Sequence, residues 1–284
     1  ATPQGYALHY QCPADSVHLI ATELSQPLFD PQELKQAIKK HAQGVVSAQD
    51  NLDLHSVNIL QNKLFGTPMP CSDIDSLCKI TQLQHITKPC KITAAGPPQA
   101  LEQLKALHVA GFQEQRPTPL NATGSYHHTA DKTSCAVVWG CAVEPNAVLK
   151  VAASILGGGF AGRLMKTVRD KQGLTYGISA GIKDNMFIVK TSFNPTLLQQ
   201  GIESTEKEIA LWRKGVRMEE LKIHQTMIVG QRAVLEDDMG KYVDFVHSNQ
   251  ITDEQINAVT LENINEVVKN LPKLYRVSTG PTPI

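Results

Sequence analysis

The sequence lacks an excess of charge of either sign, because 27 lysines and arginines balance 27 aspartates and glutamates among 284 residues. Nucleic-acid-binding domains usually carry a basic stripe or cluster, so this composition argues against a nucleic-acid partner. Long apolar runs are missing too, since the longest, Cys135 to Val143, is short and contains Gly140. A bilayer span needs roughly 20 apolar residues, and the sequence therefore predicts no membrane-spanning helix.

Paired cysteines are also absent. The six cysteines, at positions 12, 71, 78, 90, 135 and 141, form no CxxC motif, which argues against a zinc ribbon or a thioredoxin-type site. Cys135 and Cys141 fall on the same face of a predicted strand, where we expect buried free thiols. Residues 1–10 lack the basic stretch and apolar core of a signal peptide. A processed secreted chain would lack them as well, so the sequence does not distinguish a periplasmic from a cytoplasmic protein.

The common catalytic motifs are missing. None of the ten histidines begins an HxxEH motif. His127 and His128 are adjacent, and in a strand their rings would point to opposite faces, so they cannot chelate as a helical pair does. We therefore predict no metal site within this chain alone. There is no GxSxG nucleophile elbow, and the three glycines at 157–159 lack the spacing of a phosphate loop or a dinucleotide fingerprint.

The chain does contain enough apolar residues, 42%, for a sizeable core, and its length suits about two domains. Strand pairs separated by helices predict an α+β fold with a mostly antiparallel sheet flanked by helices. The two halves share the same outline of elements, so we expect two related domains at residues 1–110 and 121–284. Residues 111–120, with a glycine and two prolines, form the predicted linker.

Hydrophobic periodicity and turn residues predict the individual elements. In the first half, strands are predicted at 7–12 and 91–95, and helices at 14–25, 31–47, 52–64, 70–84 and 99–108. In the second half, strands are predicted at 125–129, 134–143, 175–182, 186–193 and 274–278. Helices are predicted from 145 to the glycines, at 160–171, from 195 onward, and at 216–235, 240–248, 253–258 and 261–270.

The 157–176 segment is the most informative part of the sequence. Its three glycines break the backbone, a short helix follows, and a glycine-centred turn leads into a strand. Arg169 is expected near the end of the helix and Tyr176 at the start of the strand. A guanidinium and a phenol are both hydrogen-bond donors and can converge on one carbonyl oxygen. The alternative is a surface arginine beside a core aromatic, with the glycines serving as a helix cap and for close packing. Arg163 and Lys166 are expected to be solvated or structural.

This segment resembles a motif of the M16 family of zinc metallopeptidases (pitrilysin, insulinase and mitochondrial processing peptidase). Leu156-Gly-Gly-Gly-Phe-Ala-Gly-Arg-Leu, followed by Val168-Arg-Asp-Lys-Gln-Gly-Leu-Thr-Tyr, is similar to the family's second-domain motif LGGGxxSRLxxxxRExxGLxY. Gln26-Pro-Leu-Phe-Asp-Pro-Gln-Glu-Leu is similar to a first-domain segment. Met218-Glu-Glu-Leu-Lys and the run from Ile251 also fit, so the resemblance covers nearly the whole chain.

The resemblance implies a clamshell of repeated α+β domains, with residues 1–110 as a first domain that lacks its HxxEH part. In the family, one domain holds zinc through HxxEH and a glutamate on the next helix, and the motif glutamate takes a proton from the metal-bound water. A later domain, sometimes on another subunit, supplies an Arg–Tyr pair that binds substrate and the developing oxyanion. By resemblance, that pair is Arg169 and Tyr176, with Gly157, Gly158 and Gly159 as substrate-binding residues.

Two departures from the family pattern bear on activity. The HxxEH motif is absent, which a chain beginning after that motif would explain. Alignment from Leu28 places the family's distal glutamate on Gly44, and the acidic position before it on Ala37. A glycine side chain offers no ligand atom, so we expect no metal or cofactor in this chain. Zinc is expected in a partner M16 subunit, within a hetero- or homo-oligomer that acts on a peptide or protein.

The resemblance leaves three functions open. The first is a non-catalytic subunit that contributes the Arg–Tyr pair to peptide hydrolysis. The second is a structural or assembly subunit without a peptidase role, like the core subunits of some respiratory complexes. The third is an active zinc peptidase that lacks its first strands and helix here.

Overall fold

The computed structural model describes residues 31–66, 96–105, 118–238, 240–241, 243 and 251–281. The chain divides into two compact units. The first comprises residues 1–46, 70–116 and 233–250, and the second comprises residues 47–69, 117–232 and 251–284. The second unit contains the described sheet and the 157–176 segment. The division predicted at 111–120 stays a prediction, because most of that segment lies outside the described residues.

The elements follow one another in a mixed order. The helices are α1 (Pro31–Asp50), α2 (Leu52–Phe65), α3 (Pro98–Lys105), α4 (Ala147–Gly157), α5 (Leu198–Arg213), α6 (Met218–Glu236), α7 (Asp253–Asn257) and α8 (Leu261–Asn270). The strands are β1 (Ser125–Thr129), β2 (Cys135–Ala142), β3 (Ile178–Lys183), β4 (Met186–Phe193) and β5 (Tyr275–Gly280). Short 3-10 turns lie at Gly159–Ala161 and Pro195–Leu197, and Met165–Lys171 forms a π-helix.

The five strands form one sheet in the order β1-β5-β2-β4-β3. β2 pairs antiparallel with β4 and with β5, and β3 pairs antiparallel with β4. β1 pairs in parallel with β5, so that His127 lies opposite Ser278. The prediction of an α+β fold with a mostly antiparallel sheet is thereby confirmed, and the β1–β5 pair is its parallel exception.

Both faces of β2 are buried, which explains why it reads as a continuous apolar run. Cys135, Val137, Trp139 and Cys141 alternate into one core with α4 to α8, as period-two side chains must. Val138 points the other way and packs with Leu60 of α2. The sheet of this unit therefore lies between α2 on one face and the later helices on the other.

Gly140 interrupts the apolar run for a packing reason. A Cβ at this position would lie 2.7 Å from the carbonyl oxygen of Phe187 and 2.8 Å from a methyl carbon of Leu60. Only a glycine lets α2 approach the sheet this closely, because a side chain here would displace β4 or α2.

The predicted burial of Cys135 and Cys141 and most predicted element bounds agree with the structure in the described ranges. Cys135 and Cys141 are buried free thiols, and burial raises the pKa of Cys141 to about 12 despite the opposing charge of Arg213. The helix predicted at 160–171 is instead a 3-10 turn followed by the π-helix, and the strand predicted at 175–182 begins only at Ile178. In the described ranges, no helix combines the length and apolar character that crossing a bilayer requires.

Several predicted elements lie outside the described residues. They are the strands at 7–12 and 91–95, the helices at 14–25 and 70–84, and most of the helix at 240–248. The segment around Leu28 that anchored the alignment lies there too.

Candidate functional site

The glycines of the 157–176 segment allow two close backbone approaches and one left-handed backbone conformation. A Cβ on Gly157, the last residue of α4, would lie 2.4 Å from the amide nitrogen of Ala180 in β3. A Cβ on Gly162 would lie 2.8 Å from the Cα of Gly157, and Gly159 has a left-handed φ of +61°. The structure therefore accounts for these glycines by a helix end and tight packing, while their role in substrate binding stays a prediction.

The buried residue His224 of α6 contacts the end of α4, just before the 157–176 segment. Its side chain is only 2% exposed, and its Nδ1 lies 2.8 Å from the hydroxyl of Ser154 in α4. Burial lowers its pKa, against an opposing hydrogen bond with the backbone of Ala161. The sequence reasoning did not single out this histidine. Its spacing from the buried residues Leu221 and Ile228 on one helix face was the available signal.

Arg163 also holds the segment to α6. Of the two roles expected for it, solvated or structural, it has the structural one. Its guanidinium donates two hydrogen bonds of 2.7 Å to the carboxylate of Glu220 and one of 3.0 Å to the carbonyl of Gly215. Burial alone would raise the pKa of Glu220, but the hydrogen bonds from Arg163 and from the backbone of Arg217 lower it to about 2.

Arg169 lies in the π-helix with its side chain partly exposed. Its guanidinium is 3.3 Å from a carboxylate oxygen of Asp170, and its Cζ is 5.6 Å from the ring centroid of Phe160. Phe160 is itself 74% exposed. The guanidinium therefore rests over an aromatic ring, within cation–π range, at the surface of the unit.

Tyr176 lies in the loop between the π-helix, which ends at Lys171, and β3, which begins at Ile178, rather than in the strand itself. Its side chain is fully exposed, and the phenol makes no hydrogen bond to any described residue. The alternative of a core aromatic is therefore wrong for Tyr176. No hydrogen bond joins Tyr176 to Arg169 in the described part of the chain, so their convergence on one substrate oxygen stays a prediction.

The backbone on both sides of Tyr176 is nevertheless held. The hydroxyl of Thr175 lies 2.8 Å from the carbonyl of Ser192 and accepts a 3.2 Å hydrogen bond from the amide of Gly177. The hydroxyl of Thr191 in β4 donates to the carbonyl of Gly177 at 2.9 Å. Sequence reasoning missed both threonines, since nothing in their local pattern marks a contact across the sheet.

Comparison with known proteins identifies the family of the region that contains Arg169 and Tyr176. Residues 98–228 match the family described as peptidase M16 inactive domain. These residues belong to the M16 peptidase family. The M16 region includes the whole 157–176 segment, α4 and most of α6. Among curated proteins, none matches this sequence.

Several solved structures share the fold. The peptidase M16 inactive domain of Pseudomonas fluorescens aligns with a TM-score of 0.70 at 18% identity, over 94% of this chain and 75% of that one. The periplasmic protease PqqL of Escherichia coli aligns at 0.64 and 11% identity, over 95% of this chain and 35% of the protease. A chain of complex III from Candida albicans aligns at 0.66 and 12% identity, over 94% of this chain and 76% of that one. At these identities the likeness shows the fold alone.

The described residues bring no set of candidate metal ligands together. They contain no group of three or more His, Cys, Asp or Glu side chains close enough to share a metal. Gly44 lies in α1 with open space where a side chain would extend, and Ala37 lies in the same helix. His127 contacts Ser278 on one face of the sheet, whereas the ring of His128 lies 4.9 Å from that of His55 in α2.

Proposed function

We propose that this chain is a non-catalytic M16 subunit that contributes Arg169 and Tyr176 to peptide hydrolysis at a zinc held by a partner subunit. The observation that carries the proposal is the fully exposed phenol of Tyr176 on a backbone held at Thr175 and Gly177. A large polar aromatic side chain without any partner in the described chain is suited to meet a ligand.

The chemistry of the two side chains supports an electrostatic role. A guanidinium keeps its positive charge at any working pH, and a neutral phenol donates one hydrogen bond. Both can stabilise the negative charge that develops on a carbonyl oxygen during hydrolysis. The contact of Arg169 with Asp170 is exposed and therefore weak, so a substrate can replace it.

The proposed substrate contact of the glycines rests mainly on Gly159. Gly157 is buried and Gly158 is half-buried, whereas Gly159 is exposed next to Phe160. The backbone of Gly159 and the ring of Phe160 therefore form the part of this loop that a peptide can touch.

The test reconstitutes the chain with a zinc-bearing M16 subunit and measures turnover of a fluorogenic peptide. Arg169→Ala and Tyr176→Phe should each lower kcat by about 10²–10³-fold, the usual effect of removing one oxyanion donor. The zinc content of the complex should stay unchanged, because neither side chain binds metal in this proposal. Lys171→Ala, an exposed position in the same π-helix, is the matched control and should leave kcat unaltered. Wild-type turnover in both variants would contradict the assignment.

A structural or assembly subunit is the second candidate. The observation in its favour is the shared fold with a chain of complex III from Candida albicans. In that case, the chain would purify in a complex without a zinc-bearing M16 subunit. Arg169→Ala and Tyr176→Phe would then leave both assembly and function of that complex unchanged.

A further inference from the structure

We infer that the hydroxyls of Thr175 and Thr191 are positioning groups that fix the direction of the Tyr176 side chain. The inference rests on the proposed function, in which the phenol of Tyr176 donates a hydrogen bond to the substrate. Neither threonine touches the substrate in this proposal. They act through the backbone that carries the tyrosine.

The hydroxyls of Thr175 and Thr191 make hydrogen bonds to the backbone of Gly177, just before the backbone hydrogen bonds between β3 and β4 begin. β3 pairs with β4 from Ile178, which lies opposite Thr191, to Lys183, which lies opposite Met186. Gly177 lies just before this ladder. Its carbonyl accepts a hydrogen bond from Thr191 at 2.9 Å, and its amide donates to the hydroxyl of Thr175 at 3.2 Å. Side chains therefore hold both polar groups of Gly177.

The contacts of Thr175, Thr191 and Gly177 are compatible with one another, because each donor proton can be assigned to a single acceptor. Thr191 donates its hydroxyl proton to the carbonyl of Gly177, and Thr175 donates its own to the carbonyl of Ser192 at 2.8 Å. The oxygen of Thr175 then accepts the amide proton of Gly177. The two hydroxyl oxygens lie 2.9 Å apart, so the loop before β3 and the strand β4 meet at this point.

Tyr176 depends on these contacts because it has little else to orient it. Leu174 and Ile178, two residues before and after, are buried at 5% and 4% exposure, so the chain alternates inward, outward and inward. The following residue, Gly177, has no atom within 4 Å of where a Cβ would lie. A glycine in open space has wide backbone freedom, and the two hydroxyls remove that freedom next to the tyrosine.

The first experiment uses the chain alone and needs no partner. Thr175→Val and Thr191→Val keep the shape of the side chain and remove the hydroxyl, and Thr175→Ser restores it. Hydrogen–deuterium exchange of the peptide covering 174–178 should be at least tenfold faster in the two valine variants than in the wild type, and near wild type in the serine variant. Unchanged exchange in both valine variants would overturn the inference.

The second experiment separates positioning from simple destabilisation. In the complex reconstituted with a zinc-bearing M16 subunit, Thr175→Val should lower kcat by about tenfold or more with little change in KM, because an oxyanion donor acts in the transition state. The same substitution should have no further effect on kcat when Tyr176 is already phenylalanine. An equal loss in the Tyr176→Phe background would show that Thr175 acts independently of the phenol and would overturn the inference.

The two proposals fail in distinguishable ways. Wild-type kcat in Tyr176→Phe removes the proposed function, while the exchange rates still decide whether the threonines hold the loop. A low kcat in Tyr176→Phe with wild-type kcat in Thr175→Val leaves the proposed function in place and removes the positioning role. If Thr191→Val does not fold, Thr175→Val, at a half-buried position, decides by itself.

Discussion

At Gly157 the last turn of α4 lies directly against the backbone of β3. The amide nitrogen of Ala180 is 2.4 Å from where a Cβ would be, and strand backbone cannot move away as a flexible side chain can. A Cβ on Gly162 would in turn lie 2.8 Å from the Cα of Gly157. Because Gly157 and Gly162 have no side chains, the segment that carries Phe160 and Arg169 can pack closely where it follows α4.

Gly157→Ala should therefore destabilise the protein. We expect a loss of about 1–3 kcal/mol in the free energy of unfolding, the usual cost of overpacking a tight site. Urea denaturation followed by circular dichroism measures it. Gly181→Ala is the matched control, since Gly181 follows Ala180 in β3 and has no atom within 4 Å of its Cβ position. Equal stability of the two variants would show that the packing at Gly157 is looser than described.

At the scale of elements, α6 holds the loop that follows α4. Glu220 in its first turn binds Arg163, and His224 one turn later contacts Ser154. The side chains of Arg163 and Glu220 are only 17% and 14% exposed. Each charge therefore needs the other as its countercharge, because water reaches neither of them freely. The helix thereby connects the interior of the unit to the segment that carries the proposed Arg–Tyr pair.

Glu220→Gln should be strongly destabilising, because it leaves the guanidinium of Arg163 partly buried without a countercharge. Breaking a fully buried pair costs about 3–5 kcal/mol, which sets the upper limit here. The control is Glu219→Gln, an exposed neighbour in the same helical turn, which should cost no more than about 1 kcal/mol. The double variant Arg163→Met with Glu220→Leu should recover much of the loss in chemical denaturation. A double variant no more stable than Glu220→Gln would contradict this account.

At the scale of the whole molecule, titratable groups lie in the layers on both faces of the sheet. Burial lowers the pKa of His224 in α6, and burial together with the nearby His128 lowers the pKa of His55 in α2. Both histidines therefore resist protonation in the folded state more than in the unfolded state. Folding becomes less favourable at a pH where the unfolded chain binds these protons and the folded chain does not.

The free energy of unfolding should therefore be highest above pH 6.5 and fall as the pH drops through 6.5. Glu220 adds a further loss between about pH 4.5 and 2, because its folded pKa lies below its usual value. Urea denaturation at pH 7.5, 6 and 5 measures the first slope. The double variant His55→Gln with His224→Gln should show a smaller decrease over this interval. A slope as steep as that of the wild type would show that other groups dominate.

Local patterns determined much of this fold. The continuous apolar run from Cys135 predicted the strand β2, both faces of which are buried. The glycines marked where α4 ends. The motif that carries Arg169 and Tyr176 indicated the M16 family, which the match over 98–228 confirms. These features depend on residues close in the chain, where period and capping act directly.

Only the tertiary structure decided which distant residues meet. The parallel pairing of β1 with β5 joins residues about 150 positions apart, and no local pattern encodes that choice. The contact of His224 with Ser154 and the network of Thr175 and Thr191 arise from the packing of α6 on α4 and of the loop on β4. The outward direction of Tyr176 also comes from packing, because burying Leu174 and Ile178 leaves the residue midway between them on the solvent side. A sequence specifies which residues favour burial, but the pairing of elements depends on contacts summed over the whole fold.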